Sequence, residues 1–229
     1  MAQNRDQFAF VLAALRQRLR SGACVQGEPL TVNDLAATWG VSATPVREAL
    51  ARLAGEGLVE DRRGRGYFAW RMDVSDLADL YLAQETLTLT ALAGLGHCAV
   101  EPAARSSGCS LPPSTIPTSV LVREGHIDGP LFWEALTWRV AREAGHRFFL
   151  GAQQRLADRL APARRVEAKV LHEDVDALNR LADQVNRQAW GTLSIDIAPF
   201  FARRRAGAGA IVDRLRVESR LYIDGIEHQ

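Results

Sequence analysis

The 229-residue sequence contains no run of about 18 uninterrupted apolar residues, the length a single helix needs to cross a bilayer. Its first residues, Met1-Ala2-Gln3-Asn4-Arg5-Asp6, lead into an amphipathic stretch and lack the apolar core of a secretory signal. These two absences predict a cytoplasmic protein with no membrane partner. Cysteine is scarce. Cys24, Cys98 and Cys109 share no CxxC spacing, so they give neither a disulfide framework nor a zinc pattern. They are expected to be small buried or surface residues in a reducing compartment. No GxSxG, HExxH or glycine-rich phosphate loop occurs, so no enzymatic activity is expected. The five histidines, His97, His126, His146, His172 and His228, share no helical spacing and are expected at the surface or in satisfied core positions.

Net charge is also small, +1, and by itself names no partner. Hydrophobic residues make up 47% and charged residues 24%, values of an ordinary globular chain that exclude disorder, collagen and a coiled coil. The length allows one large domain or two small ones. The distribution of charge is more telling than its sum. Residues 1–72 carry 10 Arg against 7 acidic residues, whereas residues 73–229 carry 17 Arg and Lys169 against 20 acidic residues. The N-terminal part is the better candidate for meeting a polyanion.

The chain divides near residue 72, and the two parts have different rhythms. In the first, Phe8, Val11, Leu12, Leu15 and Leu19 fall on one face of a helix over about residues 5–20, which Ser21-Gly22 ends. Thr31 and Asp34 read as a capping box for a short helix from Val32 to about Trp39, with Leu35, Ala36 and Trp39 inward. Gly40 suits the left-handed conformation that closes a helix. Ser42 caps a third helix, which tolerates Pro45 in its first turn and buries Val46, Leu50 and Leu53. Gly55 and Gly57 close it. Leu58-Val59-Glu60 and Tyr67-Phe68-Ala69-Trp70 are short β-prone runs, joined by a turn at Arg62-Arg63-Gly64-Arg65-Gly66. A helix, a helix–turn–helix and a hairpin, in that order, make a winged helix.

The run from Leu35 to Leu53, LAATWGVSATPVREALARL, followed by Glu56-Gly57-Leu58-Val59 and by Arg65-Gly66, resembles the signature of the GntR family of bacterial transcription regulators. The resemblance covers about residues 8–70 without gaps. It implies a winged-helix DNA-binding domain at residues 1–72, followed by a helical effector-binding and dimerising domain at residues 73–229. The DNA-contacting residues it implies are Thr31 and Asn33 on the second helix, Ser42, Ala43, Thr44 and Arg47 on the recognition helix, and Arg62, Arg63, Arg65 and Gly66 in the wing. The physics agrees. The N-terminal end of a recognition helix lies nearest the base edges of the major groove, and its N–H groups favour a phosphate. Arginines in the wing would meet the backbone or the minor groove. Arg52 is read as a solvated helix residue, and Tyr67 and Trp70 as core or interface residues. The sequence departs from the family at Ala43 and Asn33, where family members usually carry contacting arginines. That departure is the only support for a competing reading, a winged-helix protein-interaction module with weak or no specific DNA binding.

The second part is expected to be all helical, a bundle of six or seven helices. Leu77, Leu80, Tyr81, Leu87 and Leu95 give a face to a helix from Asp73 to about Gly94, and residues 101–118, rich in Pro, Ser and Gly, read as a loop. Further helices are expected at about 129–144, 146–161, 164–188, 190–204 and 207–227. Leu171, Val175, Leu178 and Val185 line one expected face, and Val212, Leu215, Tyr222 and Ile226 another. This plan resembles the FadR-type branch of the family, many members of which hold a metal through one Asp and three His. The corresponding positions here are Trp133, Thr137, Val175 and Ile197, which cannot form that ligand set, so no metal and no cofactor is expected. A frequent cavity arginine is replaced by Gln84. The resemblance therefore implies an effector cavity with Gln84, Trp133 and Thr137, less charged and more apolar, suited to a neutral or amphiphilic ligand. The expected partners are a palindromic double-stranded DNA operator, a small-molecule effector and a second copy of the chain as a homodimer.

Overall fold

The computed structural model describes residues 2–97 and 129–226, with side chains over residues 6–96 and 131–219. The expected loop at 101–118, with Cys98, Cys109, His126 and His228, lies outside the described residues, as do the side chains of His97, Tyr222 and Ile226.

Helix α1 (Ala2–Arg20) leads to α2 (Val32–Trp39) and α3 (Ala43–Gly55), then to strands β1 (Val59–Arg62) and β2 (Gly66–Ala69). The periodic face of α1 is inward as expected, with Val11, Leu15 and Leu19 buried against Leu35, Val46, Leu50 and Leu53. Gly40 closes α2 at φ 63°, and its N–H turns back to the carbonyl of Ala36 or Ala37. Ser42 stands at the N-cap of α3 in an extended conformation, but its exposed side chain makes no cap hydrogen bond, and Pro45 is buried in the first turn. The capping box does not form: Thr31 is at the N-cap of α2, but its side chain accepts no backbone N–H. Thr31 and Asp34 are both exposed, so water competes for the free N–H groups of this helix end.

The hairpin is antiparallel, with Val59 opposite Ala69 and Arg62 opposite Gly66. The Arg65 N–H donates to the Arg62 carbonyl at 2.8 Å, and Gly64 takes φ 74° in the turn, a conformation glycine adopts without a Cβ penalty. Residues 27–30 lie along the free side of β2. Leu30 donates to the Tyr67 carbonyl at 2.8 Å, and Ala69 donates to the Glu28 carbonyl at 2.8 Å. Four residues containing Gly27 and Pro29 carry too little alternation to announce this pairing in the sequence.

The remaining described elements are helical: α4 (Val74–His97), α5 (Gly129–Glu143), α6 (Arg147–Val170), α7 (Val175–Asn186), α8 (Trp190–Asp196), α9 (Ala198–Ala206) and α10 (Ala208–Ile226). Met72, Leu77, Tyr81, Leu160, Val166 and Ile211 form one apolar cluster, and Leu92, Phe132, Trp133, Val140, Leu181 and Ile197 another. Helix boundaries differ from expectation at three places. Helix α6 runs straight through Pro162, where a break was expected between 161 and 164. An interior proline costs roughly 3 kcal/mol, but Ala157, Leu160, Ala163 and Val166 are buried on both sides of it, and that packing holds the helix. The break falls instead at 171–174, where Leu171 turns extended and the Asp174 side chain accepts the Asp176 N–H at 3.0 Å to start α7. The expected helix 190–204 is two helices meeting at Ile197, with Pro199 in the first turn of α9. These shifts displace two of the expected face residues: Val175 opens α7 and is 43% exposed, and Leu171 ends α6 and packs in the first cluster, whereas Leu178 and Val185 are buried in the second.

Helix α1 docks on α6 through charge. The Asp158 carboxylate, fully buried, accepts from Arg16 and from Arg20, the latter at 2.7 Å. Gln154 donates to it at 2.8 Å. Arg16 also reaches Glu56 at 2.7 Å, and Arg20 reaches Glu134 at 2.7 Å.

Candidate nucleic-acid interface

Three short stretches carry the residues singled out for DNA. Thr31 and Asn33 are exposed in the first turn of α2. Ser42, Thr44 and Arg47 are exposed at the start of α3, and Ala43 is half-buried among them. Pro45, Val46 and Leu50 anchor the opposite face of α3, so the exposed edge is held by a fully apolar floor. Arg63, Arg65 and Gly66 are exposed at the hairpin end. Arg62 differs from the other wing arginines. It grips Glu60 with two hydrogen bonds of 2.9 and 2.7 Å and lies 4.2 Å over the Phe68 ring. Partial burial would raise the Glu60 carboxyl, but the Arg62 hydrogen bonds and the Arg71 N–H outweigh it and hold it below the usual range. Arg62 therefore braces the sheet, and the exposed positive charge of the hairpin end is Arg63 and Arg65. Arg52 pairs with Glu56 at 2.7 Å along its own helix.

The helical part presents a second set. Gln84, Trp133 and Thr137 are all buried. Gln84 donates to Gln153 at 2.8 Å, and Gln153 donates to Thr137 at 2.8 Å. Trp133 points elsewhere: its indole N–H donates to Glu173 at 2.8 Å, and the Arg204 guanidinium lies 4.3 Å over its ring. Arg204 also pairs with Glu167 at 3.2 Å and with Glu173. Tyr81 donates to Glu167 at 2.6 Å. Arg164 is enclosed beside Gln84, 3.4 Å from its carbonyl oxygen and 3.7 Å from Glu134. Desolvation pushes its guanidinium below its ordinary value, against the pull of Glu167 and Glu134. Among the described residues, no three His, Cys, Asp or Glu side chains converge as a metal site would require.

The family model for bacterial regulatory proteins of the gntR family matches residues 8–68. Residues 8–68 are a GntR-family helix–turn–helix domain. Over 81 residues the chain is 42% identical to an uncharacterized HTH-type transcriptional regulator in an unstable DNA locus of Streptomyces ambofaciens, which is 35% of this chain and 34% of that protein. It is 44% identical over 55 residues to the Nta operon transcriptional regulator of Aminobacter aminovorans, 24% of this chain and 26% of that one. The chain thus spans about a quarter to a third of the length of the curated relatives it matches. Among solved structures, E. coli McbR/YncC superposes with a TM-score of 0.57 at 16% identity, covering 88% of this chain and 96% of that one, a likeness of fold. The fold is a mainly helical one, a winged helix–turn–helix followed by a helical C-terminal domain.

Outside the GntR-family segment, the expected interior of the C-terminal domain needs one correction. Gln84 in place of an arginine suggested a less charged cavity, yet Arg164 and Arg204 come in from α6 and α9, with Glu167 and Glu173. Arg204 sits within Arg203-Arg204-Arg205, which reads as a solvated charge run. Its spacing with Phe201 and Ala208, both buried, was the available signal. Glu167 likewise continues the buried face of Leu160 and Ala163. The register also moves Val175 to the surface, while Ile197 and Trp133 share a core cluster.

Proposed function

We propose that this chain is a ligand-responsive transcription regulator of the cytoplasm, without enzymatic activity. Residues 1–72 bind a palindromic operator, residues 73–229 bind a small-molecule effector and pair two copies, and repression is the mode. The observation that carries the reading is the exposed polar edge of α3, with Arg47, on an apolar floor inside a GntR-family segment. Two-fold pairing would place two such helices on a palindrome. An open groove of about 730 Å³ between α4 and α6, with half-buried Phe149 and Leu156 at its base, supports pairing, and Leu82 and Phe148 at its rim are 51% and 73% exposed. The Gln84–Gln153–Thr137 chain supports an effector site, because a ligand with hydrogen-bonding groups can replace partners that now satisfy one another.

Fluorescence anisotropy of the full chain on DNA from its own upstream region tests the reading. Arg47→Ala is expected to weaken binding by about 1–3 kcal/mol if Arg47 reads a base. The double change Arg63→Ala, Arg65→Ala is expected to shallow the salt dependence by about two phosphate contacts. Unchanged affinity and slope in both variants would leave the protein-interaction module as the better reading, the alternative that Ala43 and Asn33 favour.

A further inference from the structure

Between the winged helix and the C-terminal domain lies a cleft of about 420 Å³ that neither the recognition edge nor the Gln84 core uses. One wall is the α1–α2 connection and the base of the hairpin, including Gly22 and Trp70; the other is α6 and the middle of α10. The cleft sits at the end of the hairpin opposite Arg63 and Arg65, since Leu58 and Ala69 line it.

Its charge is unbalanced. Arg159, Arg165, Lys169 and Arg214 all line it. Two carboxylates are present, and Asp158 is already occupied by Arg16, Arg20 and Gln154. Glu218 alone serves the rest: it accepts from Lys169, takes Arg214 at 3.3 Å and lies 3.9 Å from Arg165. Three cations therefore share one carboxylate. Arg159 feels the charge of Asp76 but makes no ion pair at contact distance among those described. Its guanidinium stacks 4.3 Å over Trp70, and its buried Nε has no hydrogen-bond acceptor among the described residues. A buried donor left without an acceptor is costly, and like charges gathered in a cleft attract a counter-charge. Gly22 makes the arrangement possible. It sits at φ 72°, and a Cβ built there would overlap the Arg165 guanidinium, so the glycine admits Arg165 against the wing-side wall. Trp70, Leu19, Pro162 and Leu215 supply an apolar floor beside the cations.

We propose that this interdomain cleft is a regulatory site for a small multivalent oxyanion, phosphate- or carboxylate-bearing, with a compact apolar body. The anion's oxygens take the free valence of Arg165, Lys169 and Arg214, its remaining acceptor meets the outer edge of the Arg159 guanidinium, and its body lies beside Trp70. The volume suits a small metabolite. Because the two walls belong to the DNA-reading and the helical parts, occupancy favours the docked setting of one on the other and couples to DNA affinity through that setting. Only this last consequence rests on the function proposed above.

The test is isothermal titration of the full chain, without DNA, with inorganic pyrophosphate and separately with citrate. At least one is expected to saturate at about 1 mM or below. Tighter pyrophosphate assigns the site to phosphates, and tighter citrate to carboxylates. Arg165→Ala with Lys169→Ala is expected to weaken that binding about tenfold, from two lost charge-assisted contacts. Glu218→Gln frees the same cations and is expected to tighten it several-fold, an opposite sign that misfolding does not mimic. Failure of both probes to saturate overturns the proposal. So does binding abolished by Arg63→Ala with Arg65→Ala, which would place the anions on the hairpin end. An Arg47→Ala protein that no longer binds DNA but still titrates normally leaves the cleft standing.

Discussion

Every side chain buried in the winged helix among the described residues is apolar, Val11 through Ala69, with Cys24 as a thiol that burial pushes above its ordinary pKa. The helical domain buries Gln84, Thr88, Thr137, Gln153, Asp158, Arg164, Glu167 and Arg204 as well. An apolar core is non-directional and tolerates exchange of shape for shape. A buried polar core has discrete partners, and it is stable only while each is satisfied. The first kind suits the rigid DNA-reading role proposed above. The second gives the helical domain alternative pairings of the kind that the proposed effector would select.

The largest effect that would break this contrast is at Arg204. It holds Glu167 and Glu173 and covers Trp133. Arg204→Ala strips Glu167 and Glu173 of their ion-pair partner, leaving only the Tyr81 and Trp133 hydrogen bonds, and is expected to cost about 3–5 kcal/mol in urea unfolding. Replacing Arg204, Glu167 and Glu173 together by apolar residues of similar volume is expected to restore most of it, because the desolvation cost disappears with the charges. In the winged helix, Leu50→Ala has no such rescue. It is expected to cost about 2–5 kcal/mol as a cavity, and no second substitution that adds polarity would recover it. Restoration of Leu50→Ala by a polar partner, or none of Arg204→Ala by the triple exchange, would erase the distinction.

The same contrast explains what could be read in advance. The helices α1 to α3, the hairpin and the apolar floor under Arg47 were legible because there one rule, apolar inward at fixed spacing, decides everything. In the helical domain that rule loses its grip. Pro162 reads as a breaker, yet the buried residues around it keep α6 continuous. Arg204 and Glu167 occupy core spacings with charged side chains, so the periodic signal is hidden at the positions that organise the interior. The role of Arg62 was hidden differently. Its sequence neighbours Arg63 and Arg65 suggest a common fate, but Glu60, opposite Phe68 in the hairpin register, claims it. The pairing of residues 27–30 with β2 depends on chain return, which no local pattern encodes.

A middle-sized effect is expected where the two regions meet. Asp158→Ala removes the acceptor shared by Arg16, Arg20 and Gln154, with Arg16 and Arg20 each about a fifth exposed. Burial lowers both guanidinium pKa values, but the carboxylates Asp158, Glu56 and Glu134 outweigh it and raise them. Losing the shared acceptor is expected to cost about 1–3 kcal/mol. The more informative readout is cooperativity. If the ion cluster is what couples the parts, urea unfolding followed by Trp fluorescence and by circular dichroism should separate into non-coincident transitions in the variant. Coincident transitions with an unchanged slope would mean that apolar contact between α1 and α6 suffices.

The smallest effect sharpens the contrast at a single hydroxyl. Tyr81 is buried, and burial, together with the charge of Glu167 and the hydrogen bond to it, pushes its phenol well above its ordinary pKa, against the opposing pull of Arg204 and Arg164. A group whose folded pKa is raised keeps its proton in the native state after the unfolded chain has lost its own. Its contribution is complete below about pH 10 and declines as pH rises above that value, by about 1.4 kcal/mol per pH unit for one group. Tyr81→Phe leaves Glu167 without this donor and is expected to lose about 1–3 kcal/mol near pH 8. The variant has no phenol to ionise, so its unfolding midpoints should fall less steeply between about pH 10 and 11, and the gap to the parent should narrow there. Tyr67, half-buried in the winged helix, serves as the comparison: Tyr67→Phe removes no buried hydrogen bond among those described and should leave the neutral-pH midpoint close to the parent's. Parallel curves for Tyr81→Phe and the parent through the alkaline limb would show that the phenol does not titrate as its enclosure demands.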